Sequence, residues 1–168
     1  MILTHDVIRK EIAKGRVVIE PLDTRAIGPA SIDLSLGNTI RVFRGHATVD
    51  ADEGADYKKY TERIKIHHGY LLRPGELVMG ITKEKVTLPP DICGWLNSRS
   101  RFARIGMMSH ITAPFICPGV SNRQVLEIYN AGPAVIHLIP GEKICQLMLQ
   151  RCEGEATYKG QFKDQHLK

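Results

Sequence analysis

Two short stretches of this sequence bring together residue types that do chemistry. Ser98-Arg99-Ser100-Arg101-Phe102-Ala103-Arg104-Ile105-Gly106 holds three arginines in the six residues from Arg99 to Arg104. Ser98 or Ser100 is suited to cap a short helical turn. The N-terminus of such a turn offers free backbone N–H groups to an anion. Flanking arginines add fork-shaped, charge-assisted donors that suit phosphate or carboxylate. The same run reads equally as a solvated basic turn. The second stretch is Val125-Leu126-Glu127-Ile128-Tyr129, an apolar strand pattern interrupted by a glutamate. Alternation puts Val125, Glu127 and Tyr129 on one face and Leu126 and Ile128 on the other. A glutamate there is either a solvent-facing residue on a half-buried strand, the commoner case, or a proton-transfer group in a cleft. A third stretch, Ala30-Ser31-Ile32-Asp33-Leu34, sets one aspartate among apolar residues. A turn cap or an exposed strand position explains it as well as a site does.

Several chemistries lack their residues. A zinc nucleobase deaminase needs H-x-E and a later P-C-x-x-C, because three ligands must hold the metal that activates water. Neither motif occurs. His67 and His68 are adjacent in a strand-like run, so alternation sends them to opposite faces. There is no Walker loop, no G-x-S-x-G and no dinucleotide fingerprint. A metal site made of protein ligands is therefore not expected.

The frame that positions these residues is predicted to be mainly β. One helix is expected near the start, with Thr4 as cap, Val7, Ile8, Glu11 and Ile12 on one face, and Gly15 as the stop. Short strand-like runs follow at Val17–Ile19, Ile40–Phe43, Ile64–Ile66, Leu77–Ile81, Val125–Tyr129, Val135–Ile139 and Ile144–Leu149. Many short strands separated by Gly, Pro or Asn argue for a sandwich or barrel. Pro74-Gly75 and Pro140-Gly141 read as tight turns. Asp50 to Tyr60 reads as a polar surface loop. Residues 1–168 are expected to form one domain, with about 154–168 a polar tail that is mobile unless it packs on something.

Composition narrows the partners. The net charge of +5 is compatible with nucleic acid, a polyanionic small ligand or mere solubility. With four Phe and one Trp, a stacking platform for single-stranded nucleic acid is not evident, and nucleic acid is not an expected partner. Cys93, Cys117, Cys145 and Cys152 show no C-x-x-C spacing. The opening Met1-Ile2-Leu3-Thr4-His5-Asp6 carries no signal-peptide pattern, so reduced thiols and a cytoplasmic location are expected. No apolar run approaches a membrane span.

Taken in order, six segments resemble the dCTP deaminase family, which shares its fold with trimeric dUTPases. Pro29-Ala30-Ser31-Ile32-Asp33-Leu34-Ser35-Leu36-Gly37 resembles P-A-S-x-D-L-R-L-G. Arg99 to Gly106 resembles R-S-S-L-A-R-L-G, and His110-Ile111-Thr112-Ala113 resembles H-V-T-A. Val125-Leu126-Glu127-Ile128-Tyr129-Asn130 resembles L-E-L-x-N. Pro140-Gly141 with Ile144-Cys145-Gln146-Leu147 resembles P-G-x-x-I-x-Q-L. Tyr158-Lys159-Gly160-Gln161-Phe162-Lys163-Asp164-Gln165 resembles Y-x-G-K-Y-x-x-Q. The matches keep their order and spacing over nearly the whole chain.

The resemblance implies a distorted jelly-roll β-barrel of the trimeric dUTPase type with a short N-terminal helix. It implies a homotrimer with active sites between subunits, a hexamer being a further option. It implies zinc-independent deamination of dCTP to dUTP and ammonia, with Mg²⁺ carried only on the triphosphate and dTTP as a possible inhibitor. By position, Glu127 matches the proton-shuttling glutamate, Ser100 and Arg104 the essential serine and arginine, and Ala113 the alanine whose carbonyl holds the nucleophilic water. Nucleotide contacts are expected from Arg99, Ser100, Arg101, Phe102, Ala103 and Arg104, from Cys117, from Val125, Leu126 and Glu127, and from Tyr158, Gln161 and Gln165. Arg99 is expected to reach the neighbour's nucleotide. A Glu127 serving as both base and acid is expected to be partly buried, with its pKa raised toward neutrality. Several departures bear on the site: Cys117 replaces an aspartate, Arg101 the second serine, Asn122 a glycine and Gln161 a lysine. Two alternatives stay open. One is a bifunctional enzyme that also forms dUMP, which Cys117 and the His110–Ala113 run argue against. The other is a catalytically weak regulatory protein on the same barrel, for which Cys117, Arg101 and Gln161 leave room.

Overall fold

The computed structural model describes residues 1–45, 48–165 and 167. The first element is helix α1, His5–Ala13. Thr4 stands at its N-cap with extended backbone but makes no side-chain cap bond. Gly15, at φ 67°, turns the chain out of the helix, a conformation that costs glycine little. Glu11, expected on the apolar face, is buried there and accepts from Arg16 at 2.7 Å and from Arg151 at 2.6 Å. Both arginines also reach Asp91. This charge cluster ties α1 to the barrel, and a buried carboxylate is tolerable only because it is so paired.

Eleven strands follow among the described residues: β1 Val18–Glu20, β2 Ile32–Phe43, β3 Thr61–Lys65, β4 Tyr70–Leu72, β5 Leu77–Thr87, β6 Ile92–Ser98, β7 Met107–Met108, β8 Phe115–Ile116, β9 Ser121–Asn130, β10 Ile136–Leu138 and β11 Lys143–Arg151. A short helix α2, Ser100–Ala103, sits between β6 and β7. Seven strands run in the order β7-β9-β5-β2-β11-β6-β8, with β1 on β5 and β3 on β2. β4 and β10 form a separate pair.

The sheet curls because β2 serves two sets of neighbours. Its first part pairs with β11 (Ile32↔Leu147, Leu34↔Cys145) and its second part with β5 and β3 (Ile40↔Gly80, Ile40↔Ile64). At the changeover a Cβ on Gly37 would lie 2.8 Å from the Ile81 carbonyl oxygen, so only glycine allows the backbones this close. Inside the curl Ile8, Ile32, Leu34, Leu36, Ile40, Leu126, Ile128 and Leu147 are fully buried. Each such side chain contributes about 1.5–3 kcal/mol on leaving water.

The seven predicted strand runs all overlap strands. Asp33 lies on β2, not in a turn. His67 and His68 occupy a turn rather than a strand, because β3 ends at Lys65. β6 was not legible as a strand, since Gly94 and Asn97 interrupt its apolar pattern. The tail is docked: Ala156 N–H donates to the Pro90 carbonyl at 2.9 Å and Tyr158 N–H to the Pro118 carbonyl at 3.1 Å. Positions 166 and 168 of the expected tail lie outside the described residues. Among the described residues no helix is long and apolar enough to cross a membrane.

Candidate active site

The alternation of β9 is what presents Glu127. Leu126 and Ile128 are fully buried and face the core, while Val125 and Glu127 are half-buried on the other face. Met79 of β5 stands directly across from Glu127 in the register. These three side chains line a cavity of ≈ 540 Å³. Leu96 of β6 and the segment carrying His110, Ala113 and Phe115 form a second wall. The polar loop 53–58 forms a third, and Gln161, Phe162, Asp164 and Gln165 of the C-terminal segment cover the cavity.

Glu127 does not stand alone. His110 Nδ1 lies 2.9 Å from Glu127 Oε2, with the ring 3% and the carboxylate 29% exposed. The contact is an ion pair when the ring is protonated. Neither ring nitrogen, nor Oε2, has an aligned hydrogen-bond partner among the described residues. Burial alone disfavours both charges. It pushes the Glu127 carboxyl up, but His110 and the backbone N–H groups of Ile111 and of Glu127 itself outweigh it and hold the pKa below its ordinary value. Burial pushes the His110 ring down, but the Glu127 carboxylate and the Ala113 carbonyl outweigh that and hold it above its ordinary value. The partial burial expected of Glu127 is present, but the expected upward pKa shift is not. Sequence reasoning quoted His110 without giving it a role, and so missed the cation that reverses the sign.

The basic run is built differently from expectation. Arg99, not a serine, holds the N-cap position of α2, and no side chain caps it. Ser98 Oγ instead accepts from Ser109 N–H at 2.8 Å. Arg99 forms an ion pair with Asp33 at 3.0 Å and donates to the Lys143 carbonyl at 2.6 Å. Burial pushes the Asp33 carboxyl up, against the pull of Arg99 and Lys143. Gly106 ends the run at φ 85°, where a Cβ would lie 2.5 Å from Gly132 Cα, so the closing glycine of the motif is needed for a close backbone approach.

The expected site residues thus fall into two groups. Glu127, Ala113, Val125, Gln161 and Gln165 line one cavity. Arg99, Ser100, Arg101, Phe102, Ala103, Arg104, Cys117, Leu126 and Tyr158 are not in its wall. Leu126 is core, with a fully buried side chain. Cys117 follows β8, and Tyr158 packs against the core. His110, Gln124, Met79, Leu96, Phe115, Phe162, Asp164 and the loop 53–58 are the lining residues to which sequence reasoning gave no role in the site.

The curled sheet defines a mainly β half-barrel of the dUTPase and dCTP deaminase jelly-roll class. The structure of 2′-deoxycytidine 5′-triphosphate deaminase from Agrobacterium tumefaciens superposes with a TM-score of 0.69 at 24% identity, covering 90% of this chain and 48% of that one. This chain therefore spans about half of that longer protein. A dUTPase of phage phi11 of S. aureus superposes with a TM-score of 0.52 at 14% identity, over 86% of this chain and 96% of its own. Among curated proteins, a dCTP deaminase of Marinomonas sp. is 43% identical over 163 residues, 90% of this chain and 84% of its own length. A dUMP-forming dCTP deaminase of Parafrankia sp. is 38% identical over 98% of this chain and 87% of its own. The dCTP deaminase-like family model matches residues 2–152, and the chain belongs to that family.

Proposed function

We propose that this protein hydrolyses dCTP to dUTP and ammonia without zinc. The observation that carries the reading is the Glu127–His110 pair beside Ala113 in one cavity, in a chain of the dCTP deaminase-like family. Glu127, ionised beside His110, takes a proton from a water that the Ala113 carbonyl helps to hold. That water adds to C4 of cytosine. Glu127 passes that proton to N3, then takes the second proton from the C4 hydroxyl and gives it to the amine as the C4–N bond breaks, so that one ammonia leaves for each water consumed. His110 acts through Glu127 by keeping it ionised until the water is in place. Mg²⁺ enters with the triphosphate as part of the substrate.

Ser100 and Arg104 lie outside the wall that holds Glu127. This favours a homotrimer in which a neighbouring copy supplies them. The exposed rings of Trp95 and Phe115, 5.0 Å apart across β6 and β8, give such a neighbour an apolar surface to cover. A cytoplasmic setting is part of the proposal; it is supported by four cysteines that form no disulfide, as a reducing compartment would have them.

A second reading, continued hydrolysis of dUTP to dUMP, is favoured by the dUMP-forming name of the Parafrankia relative. Cys117 stands against it. The test is incubation with dCTP, CTP, dCMP and dUTP plus Mg²⁺, with products separated by ion-exchange chromatography. The proposal expects dCTP alone to be consumed and dUTP to accumulate.

A further inference from the structure

The C-terminal segment covers the cavity of its own chain, and one buried side chain holds it there. Asn122 on β9 is 7% exposed. Its Nδ2 donates to the carbonyls of Phe162 at 3.1 Å and Lys163 at 3.0 Å. Gln124, also buried, donates from Nε2 to Asn122 Oδ1 at 2.7 Å. That bond fixes the amide orientation, because it leaves only Nδ2 to face the tail. Three residues beyond Asn122 on β9, Val125 N–H donates to Gln165 Oε1 at 3.1 Å. Tyr158 Oη accepts from Phe162 N–H at 3.3 Å and closes the loop on itself. A glycine at 122 has no side chain and could make none of the Asn122 bonds.

We infer that Asn122 is a positioning residue that clasps the segment 158–165 over the cavity, so that Gln161, Phe162 and Gln165 are part of the substrate site before any nucleotide arrives. The inference rests on the deaminase reading for its kinetic consequence, but not for its structural one. A tail left unclasped must be ordered by the substrate, and that ordering cost falls on binding. With the clasp formed beforehand, the cost is met on folding. Loss of the clasp therefore raises KM and leaves kcat nearly untouched, since Asn122 does not line the cavity.

Asn122→Asp keeps the shape and removes the donor, placing an acceptor opposite two carbonyls. Asn122→Gly removes the side chain altogether and is the second variant should the aspartate misfold. Hydrogen exchange of the unliganded protein is the first readout. The amides of residues 158–165 should exchange about tenfold faster in either variant, while β2, β5 and β11 stay as protected as in the unmodified chain. Steady-state kinetics with dCTP are the second, with KM raised about five- to tenfold and kcat within twofold. Unchanged tail exchange in both variants overturns the clasp. So does an equal loss of kcat with KM preserved. If the unmodified protein does not deaminate dCTP, the functional reading fails while the exchange measurement still decides the clasp.

Discussion

His110 Nδ1 sits 2.9 Å from Glu127 Oε2, the ring almost wholly buried and the carboxylate half-buried in the cavity wall. Each partner opposes the effect of burial on the other, holding the Glu127 carboxyl below and the His110 ring above its ordinary pKa. Glu127 is thus a carboxylate kept ready as a base, rather than an acid kept neutral by desolvation.

The pH profile follows from the two directions. Glu127 is held below 4.5, so its part of the pairing is present above 4.5 and lost as the pH falls through the lowered value. His110 is held above 6.5, so its part is present below 6.5 and lost as the pH rises through the raised value. kcat/KM should fall along an acid limb below 4.5 as Glu127 takes up a proton. His110→Asn should move that limb upward, because burial then acts on Glu127 against the backbone N–H groups alone. An unmoved limb in the variant would remove His110 from this role.

Zinc should be dispensable. Dialysis against a strong chelator, followed by Mg²⁺, should leave dCTP turnover whole. Stoichiometric zinc whose removal abolishes turnover would overturn the water-activation scheme.

The shared site predicts complementation. Glu127→Gln and Ser100→Ala should each be inactive alone. Mixed, dissociated and reassembled, they should regain activity, because some interfaces then carry an intact glutamate from one copy and an intact serine from the next. Light scattering should give three times the mass of one chain, or a multiple of it. No recovery from mixed trimers would place Ser100 and Glu127 of one copy in the same site.

Much of this was legible in residues and spacing. The period-2 pattern of 125–129 located β9 and correctly turned Glu127 away from Leu126 and Ile128. Pro74-Gly75 and Pro140-Gly141 are turns. What stayed hidden depended on contacts distant in sequence. Gln165 meets Val125 from 40 residues away, and Arg99 meets Asp33 from across the sheet. Glu11 reads from the sequence as part of the apolar face of α1, and the Arg151 that pairs with it there lies 140 residues away. The side chain of Leu126 was grouped with substrate contacts on motif position alone, and alternation sends it into the core.

Cys117 bears on where the reaction stops. A thiol is a weak hydrogen-bond acceptor. It does not orient a water for attack on phosphate as a carboxylate does. Cys117→Asp puts a carboxylate acceptor where the family pattern carries an aspartate, and should lower KM for dCTP. The unmodified protein given dUTP should form neither dUMP nor pyrophosphate, and their appearance at an appreciable rate would show that the reaction continues past dUTP.

The central claim is most directly tested by ammonia release from dCTP, measured side by side for the unmodified protein and Glu127→Gln at equal folded concentration. The unmodified protein should release one ammonia per dUTP formed. Glu127→Gln should keep its fold, since the side chain lies in a cavity wall rather than the core, and lose about 10²–10⁴ in rate. No ammonia from the unmodified protein, or equal rates from the two, would contradict the account.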